Sequence, residues 1–219
     1  MIHKRKPNRM KGFDYSKDNL YFVTICVHDR VCCFGNIVGT GRDPSENDNN
    51  NEHQIVTGRN PSVRKQMKLN EYGKIAEKQW YWLSDQYPYI VLHAFVVMPN
   101  HIHGIVEINR SVVTAAVGTG RDLSDIKNPD LSENENDISM ETGRDLSLPI
   151  KIKSLSELMG AYKTTVSKQI HLLGYNDFVW QRSFHDHIIL DNQSYNNISD
   201  YITTNPLKWD SDKFFNPKS

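Results

Sequence analysis

The chain has 219 residues, carries 26 basic and 26 acidic side chains for a formal net charge of zero, and is 38% hydrophobic. No apolar run approaches the ~20 residues of a membrane span, and the basic N-terminus lacks the apolar stretch of a signal peptide, so a cytoplasmic protein with no membrane partner is expected. Cys26, Cys32 and Cys33 form no CxxC pair and no even set, which excludes a disulfide framework and leaves reduced packing residues.

In chain order, a basic arm (Lys4, Arg5, Lys6, Arg9, Lys11) precedes Leu20 to Val27, a β-branched and aromatic run that predicts a core strand. Asn70 then opens a helix with Tyr72, Ile75, Ala76, Trp80 and Leu83 on one face. Ile90–Val97 and Ile102–Ile108 are predicted strands joined by the turn Met98-Pro99-Asn100. Ser154-Leu-Ser-Glu157 is a capping-box pattern that starts a second long helix, which Gly174 stops. Phe184–Leu190 reads as a further strand, and Ser194–Thr204 as a short final helix ended by Pro206. The predicted order is β-α-β-β-α-β with an extra C-terminal helix. That pattern is the α+β, ferredoxin-like arrangement, an antiparallel sheet with helices on one face.

Two stretches stand apart from this frame, at about 38–66 and 110–151. They are rich in Asn, Ser, Gly, Asp and Glu and share a hexapeptide at Thr40–Ser45, Thr57–Ser62, Thr119–Ser124 and Thr142–Ser147. The copies are irregularly spaced, so they are not a solenoid period; they read as tolerated loop insertions into one domain spanning 1–219, with a binding motif displayed four times as the alternative. Residues 40–60 hold two arginines against four acids, and residues 118–150 hold three basic against eight acidic side chains, so the remaining body carries +7. A basic body suits a nucleic-acid partner despite the neutral total.

His101 and His103 sit at i, i+2 in a predicted strand, where both imidazoles face one side and can reach one ion. His185 and His187 repeat the spacing, so the spacing alone does not define a site. Tyr201 and Asn205 lie one helical turn apart. A phenol has a pKa near ~10 and needs a nearby cation or a polarised electrophile to act as a nucleophile. A nucleotide hydrolase of the histidine-triad type would want a third alternating histidine, and residue 105 is Ile105.

Asp14-Tyr-Ser16, Tyr21-Phe-Val-Thr-Ile25, Met98-Pro-Asn-His-Ile-His-Gly104, Val179-Trp-Gln-Arg-Ser-Phe-His-Asp-His187 and Tyr201-Ile-Thr-Thr-Asn-Pro206 together resemble the HUH single-strand transposases. More narrowly, they resemble the REP-associated tyrosine transposases. The resemblance covers nearly all of the chain outside the two inserts. It implies Tyr201 as nucleophile, and His101, His103 and Asn205 as ligands of Mg²⁺ or Mn²⁺. It implies Lys4, Arg5, Lys6, Arg9, Lys11, Gln181 and Arg182 as DNA contacts. Lys163 and Lys168 read either as phosphate contacts or as a solvated helix face, and Trp180 reads as a core residue ahead of a base-stacking platform. The implied activity is nicking and strand transfer of single-stranded DNA bearing a hairpin, through a 5′-phosphotyrosine link, as in DNA transposition. The implied setting is nucleoid-associated in a prokaryotic cytoplasm, with a possible homodimer. The alternative implied role is a domesticated protein that binds or processes such hairpins without transposing.

Overall fold

A computed structural model describes residues 12–40, 64–112 and 151–215. The basic arm from Lys4 to Lys11 and the hexapeptide copies, apart from Thr40, lie outside the described residues. The elements run β1 (Asn19–Cys26), β2 (Gly35–Thr40), β3 (Arg64–Leu69), α1 (Glu71–Gln86), β4 (Ile90–Val97), β5 (His101–Ile108), α2 (Leu155–Leu172), β6 (His185–Ile189) and α3 (Asn192–Thr204). A 3₁₀ segment, Asn205–Ser211, follows α3 directly.

Four strands form a sheet in the order β4-β5-β1-β6, with every neighbouring pair antiparallel. The fold is thus mixed α/β, built on one antiparallel sheet. One feature differs from the sequence expectation: β2 and β3 pair as a separate hairpin between β1 and α1. They occupy the two margins of the expected first insert, so residues 38–40 and 64–66 are strand. The hairpin braces the far end of the chain, where Lys65 forms an ion pair with Asp210 of the 3₁₀ segment.

The helices begin where their side chains can satisfy free N–H groups. Asn70 Oδ1 accepts from Gly73 N at 2.9 Å to cap α1. Ser154 and Glu157 form a full capping box on α2. Both helices lie on one face of the sheet. Ala76, Trp80 and Leu83 of α1, with Leu158, Met159, Tyr162 and Val166 of α2, are buried in one cluster with Tyr21, Val23, Ile25, Ile102 and Val106.

The period of two along each strand sends the alternate residues to the opposite face. There Ile105, Ile189 and Ile202 form a second, smaller core with Phe22, Val96, Tyr195, Ile198 and Tyr201. The terminal helix α3 therefore covers the face that α1 and α2 leave open. Strand β5 serves both layers. His101, His103 and Ile105 face α3, while Ile102, Gly104 and Val106 face the large core.

Gly104 is required by this second role. A Cβ built there would lie 2.3 Å from Trp80 Cζ2. The indole cannot retreat, because it stacks on Phe95 at 5.4 Å and meets Tyr162 edge-on at 5.5 Å. Gly104→Ala is therefore expected to destabilise the fold by about 1–3 kcal/mol through overpacking. Urea denaturation checks this, and an unchanged midpoint would contradict the packing.

Candidate metal centre and tyrosine

The site starts at the turn that leads into β5. Asn100 is fully buried, and its amide donates to Arg30 O at 3.0 Å and Phe214 O at 2.9 Å. Those two bonds fix which end of the amide is oxygen. Asn100 Oδ1 then faces His101 Nδ1 at 2.8 Å, so His101 must carry its proton on Nδ1 and leave Nε2 bare. His103 Nδ1 sits 2.8 Å from Thr24 Oγ1, on the neighbouring strand. A hydroxyl can accept as well as donate, so Thr24 can hold His103 in either tautomer. With the proton on Nδ1, both Nε2 lone pairs point at one place.

The two Nε2 atoms are 3.0 Å apart. Both histidines show 0% exposure, which decides their charge. Burial, with the neighbouring His103, Lys213 and Arg30 adding to it, holds His101 well below the usual imidazole range. Burial and Lys213 push His103 down to about 3. Both rings are neutral at neutral pH, the form that ligates metals.

Tyr201, in the third turn of α3, brings its hydroxyl to 3.2 Å from His103 Nε2. Its ring lies across Phe22, and Phe22 in turn stacks on His103. Burial and the negative Asp212 raise the Tyr201 pKa, while a hydrogen bond from the Asn205 side chain lowers it. In this protein the phenol is therefore protonated at neutral pH. A cation beside it would oppose the effects that raise it.

The chain after α3 closes the site from the other side. Phe214 packs on His101 at 4.6 Å between ring centroids, and Trp209 packs on the same imidazole at 6.0 Å. Asp212 lies between these two residues in the sequence. Its ligand oxygen and the two imidazole nitrogens all fall within 4.8 Å of one another. Asp212 also accepts from Phe214 N at 2.6 Å and from Asn205 Nδ2 at 3.1 Å.

These residues fit a divalent cation. Two neutral imidazoles and one carboxylate suit a hard or borderline ion, and no thiolate is among them to favour structural zinc. Asn205 supplies a second sign. It is buried, and its Oδ1 has no hydrogen-bond partner. An unsatisfied buried acceptor costs about 1–3 kcal/mol, and an ion or its bound water would relieve it.

Sequence reasoning named His101, His103, Tyr201 and Asn205, and the structure gathers all four. It missed Asp212. The available signal was an acid bracketed by Trp209 and Phe214 in an otherwise polar tail. His185 and His187 are exposed on edge strand β6. Trp180 is not a stacking platform. It is 6% exposed and packs against Phe34 and Phe178, with Nε1 donating to Lys163 O. Lys163 is likewise engaged, since its Nζ donates to Gln181 O at 2.5 Å and Arg182 O at 3.2 Å. Lys168 is exposed. Gln181 is half-buried and Arg182 exposed, beside the end of β1, where Gln181 N donates to Cys26 O. Cys26 is the register partner of His101, so these two side chains border the site's end of the sheet.

Fold and site together define a mixed α/β protein with a candidate metal centre beside a buried-edge tyrosine. No protein-family model matches the chain. An uncharacterized protein of Haemophilus influenzae is 26% identical over 216 residues, covering 98% of this chain and 94% of that protein. A solved structure of a REP-associated tyrosine transposase bound to a REP hairpin is similar at a TM-score of 0.44 and 16% identity, covering 93% of this chain and 74% of that one. Likeness at these levels assigns neither family nor activity. No helix among the described residues is long and apolar enough to cross a membrane.

Asp212→Asn keeps the shape of the side chain and removes its charge. It is expected to weaken Mn²⁺ binding about tenfold or more, measured by calorimetry. Unchanged affinity would take Asp212 out of the metal site.

Proposed function

We propose that this chain is a metal-dependent endonuclease and strand transferase for single-stranded DNA, with Tyr201 as the nucleophile. The observation that carries the reading is the Tyr201 hydroxyl at 3.2 Å from His103 Nε2, itself 3.0 Å from His101 Nε2. A neutral, preorganised ligand pair beside a phenol has little use in a protein that only binds. The motifs around these residues and the strand order β4-β5-β1-β6 support a ferredoxin-like HUH domain of the REP-associated tyrosine transposase kind.

In this reading His101, His103 and Asp212 hold Mg²⁺ or Mn²⁺, with Asn205 either adding its free oxygen or steadying Asp212. The ion, when bound, supplies positive charge that polarises the scissile phosphodiester and offsets the charge that develops during displacement. Asn100 and Thr24 hold the two imidazoles in place. Tyr201 directs its oxygen at phosphorus. The P–O bond to the 3′ oxygen breaks as the bond to the phenolic oxygen forms, leaving a 5′-phosphotyrosine link and a free 3′-hydroxyl. The phenolic proton is balanced by the one gained by that hydroxyl. The link preserves the phosphoester, so a 3′-hydroxyl can attack it in reverse and no external energy source is needed. Gln181, Arg182 and the basic arm from Lys4 to Lys11 are the proposed DNA contacts, and hairpin-bearing cellular DNA is the proposed partner.

The test uses a single-stranded oligonucleotide containing a hairpin, with Mn²⁺ or Mg²⁺, and scores a denaturant-resistant protein–DNA adduct. The wild type is expected to form it, chelation to abolish it, and Tyr201→Phe to reduce it by roughly a thousandfold or more. No adduct from the wild type, or an undiminished one from Tyr201→Phe, would reject the reading.

A further inference from the structure

A second polar array lies on the same face of the sheet, outside the site just described. Glu107 of β5, His93 of β4 and Tyr195 of α3 form a chain. His93 Nε2 is 2.9 Å from Glu107 Oε2, and His93 Nδ1 is 3.1 Å from the Tyr195 hydroxyl. A carboxylate accepts only, so His93 donates from Nε2 to Glu107, and its Nδ1 meets the Tyr195 hydroxyl. Asn109 Nδ2 holds the other carboxylate oxygen at 3.1 Å. The imidazole is thus held at both nitrogens and the carboxylate at both oxygens. The His93 ring also meets the Tyr195 ring edge-on, with centroids 5.6 Å apart.

Strand alternation from Ile90 and Leu92, which face the large core, puts His93 on the opposite face. The β4–β5 register shifts between Leu92 and Phe95. Leu92 and Phe95, which flank this bulge, both join the large core, while Ala94 packs in the small one. The bulge thus leaves His93 and Ala94, neighbours in sequence, on one face, which a regular alternation would not allow.

The helix needs such an anchor. Ile202 is the single fully buried residue within α3. Apolar contacts through Ile198, Ile202 and the tyrosine rings hold it against the sheet but do not fix its rotation. A tyrosine hydroxyl lies ~6 Å or more from the helix axis, so a turn of about 20° moves it by roughly 2 Å. Misplacement of about 1 Å is enough to cost a reaction up to a hundredfold.

We propose that Glu107, His93 and Tyr195 form a clamp that sets the rotation and depth of α3 on the sheet, and so positions Tyr201 over His103. These are positioning residues, acting through the helix and not on the DNA. The part of the inference that concerns catalysis rests on the nuclease reading above.

The test is Tyr195→Phe, which keeps the packed ring and removes only the hydroxyl, with Glu107→Gln as a second variant. Each is compared with the wild type by ¹⁹F NMR of protein labelled with 3-fluorotyrosine. The Tyr201 line is assigned from Tyr201→Phe. It reports position directly, because the ring sits 5.1 Å from His103 and 6.2 Å from Phe22. The clamp predicts that the Tyr201 line moves in both variants while the lines of Tyr21 and Tyr162, in the large core, stay. It also predicts a roughly tenfold or greater fall in adduct rate at saturating DNA, with Mn²⁺ affinity unchanged. A stationary Tyr201 line would overturn the clamp. Movement of all three lines would overturn it too, since it would mark a general packing role. If the wild type forms no adduct, the nuclease reading fails, and the NMR lines still decide the clamp.

Discussion

The 3.0 Å approach of His101 Nε2 to His103 Nε2 is the contact on which the rest of the site depends. A proton on His103 Nε2 shared with the bare Nε2 of His101 accounts for that distance, and both rings are held from behind. Full burial enforces neutrality. Asn100 and Thr24 do the holding, each through the Nδ1 atom that faces away from the meeting point. The arrangement places two nitrogen ligands at one spot with little freedom left to lose when an ion arrives, which is how preorganisation raises affinity.

Topology then decides what stands opposite that spot. Strand β5 is covered on one face by α1 and α2, which is why Gly104 is bare beneath Trp80. The other face is left to a short helix with a small core of its own. That helix carries Tyr201 over His103, and the segment after it delivers Asp212 and packs Phe214 against His101. Hairpin β2–β3 reaches the same segment through Lys65 and Asp210. Thus the proposed nucleophile, ligands and cover all come from the last stretch of chain closing on one strand. The proposed clamp of Glu107, His93 and Tyr195 belongs to the same logic, since a lightly packed helix needs a directional contact to keep its register.

Much of this was legible in the sequence, for identifiable reasons. Period-two and period-3.6 patterns marked β1, β4, β5, α1, α2 and α3, and the Asn70 and Ser154 caps marked helix starts, because those signals are local. His101 and His103 were legible as a pair because strand geometry alone puts them on one face. Their meeting with Tyr201 was reached through the motif resemblance, since no local pattern ties residues about a hundred positions apart. The hairpin was hidden because Gly35–Thr40 and Arg64–Leu69 are a glycine-bearing strand and a charged strand flanking a long polar stretch. Asp212 was hidden because the two histidines it faces lie about a hundred positions earlier in the chain. His93 was hidden because the groups it joins, Glu107 and Tyr195, come from other elements. Trp180 read as core ahead of a stacking platform, and its packing against Phe34 and Phe178 agrees with the core reading.

The most direct measurement of the central claim is the position of the covalent link. Trypsin should release one peptide, Ser183 to Lys208, that contains both tyrosines of α3, Tyr195 and Tyr201. Fragmentation of that peptide from protein reacted with a single-stranded hairpin oligonucleotide and Mn²⁺ distinguishes the two. The account predicts a nucleotide mass on Tyr201 and none on Tyr195. A nucleotide on Tyr195, on any other peptide, or on none would contradict it.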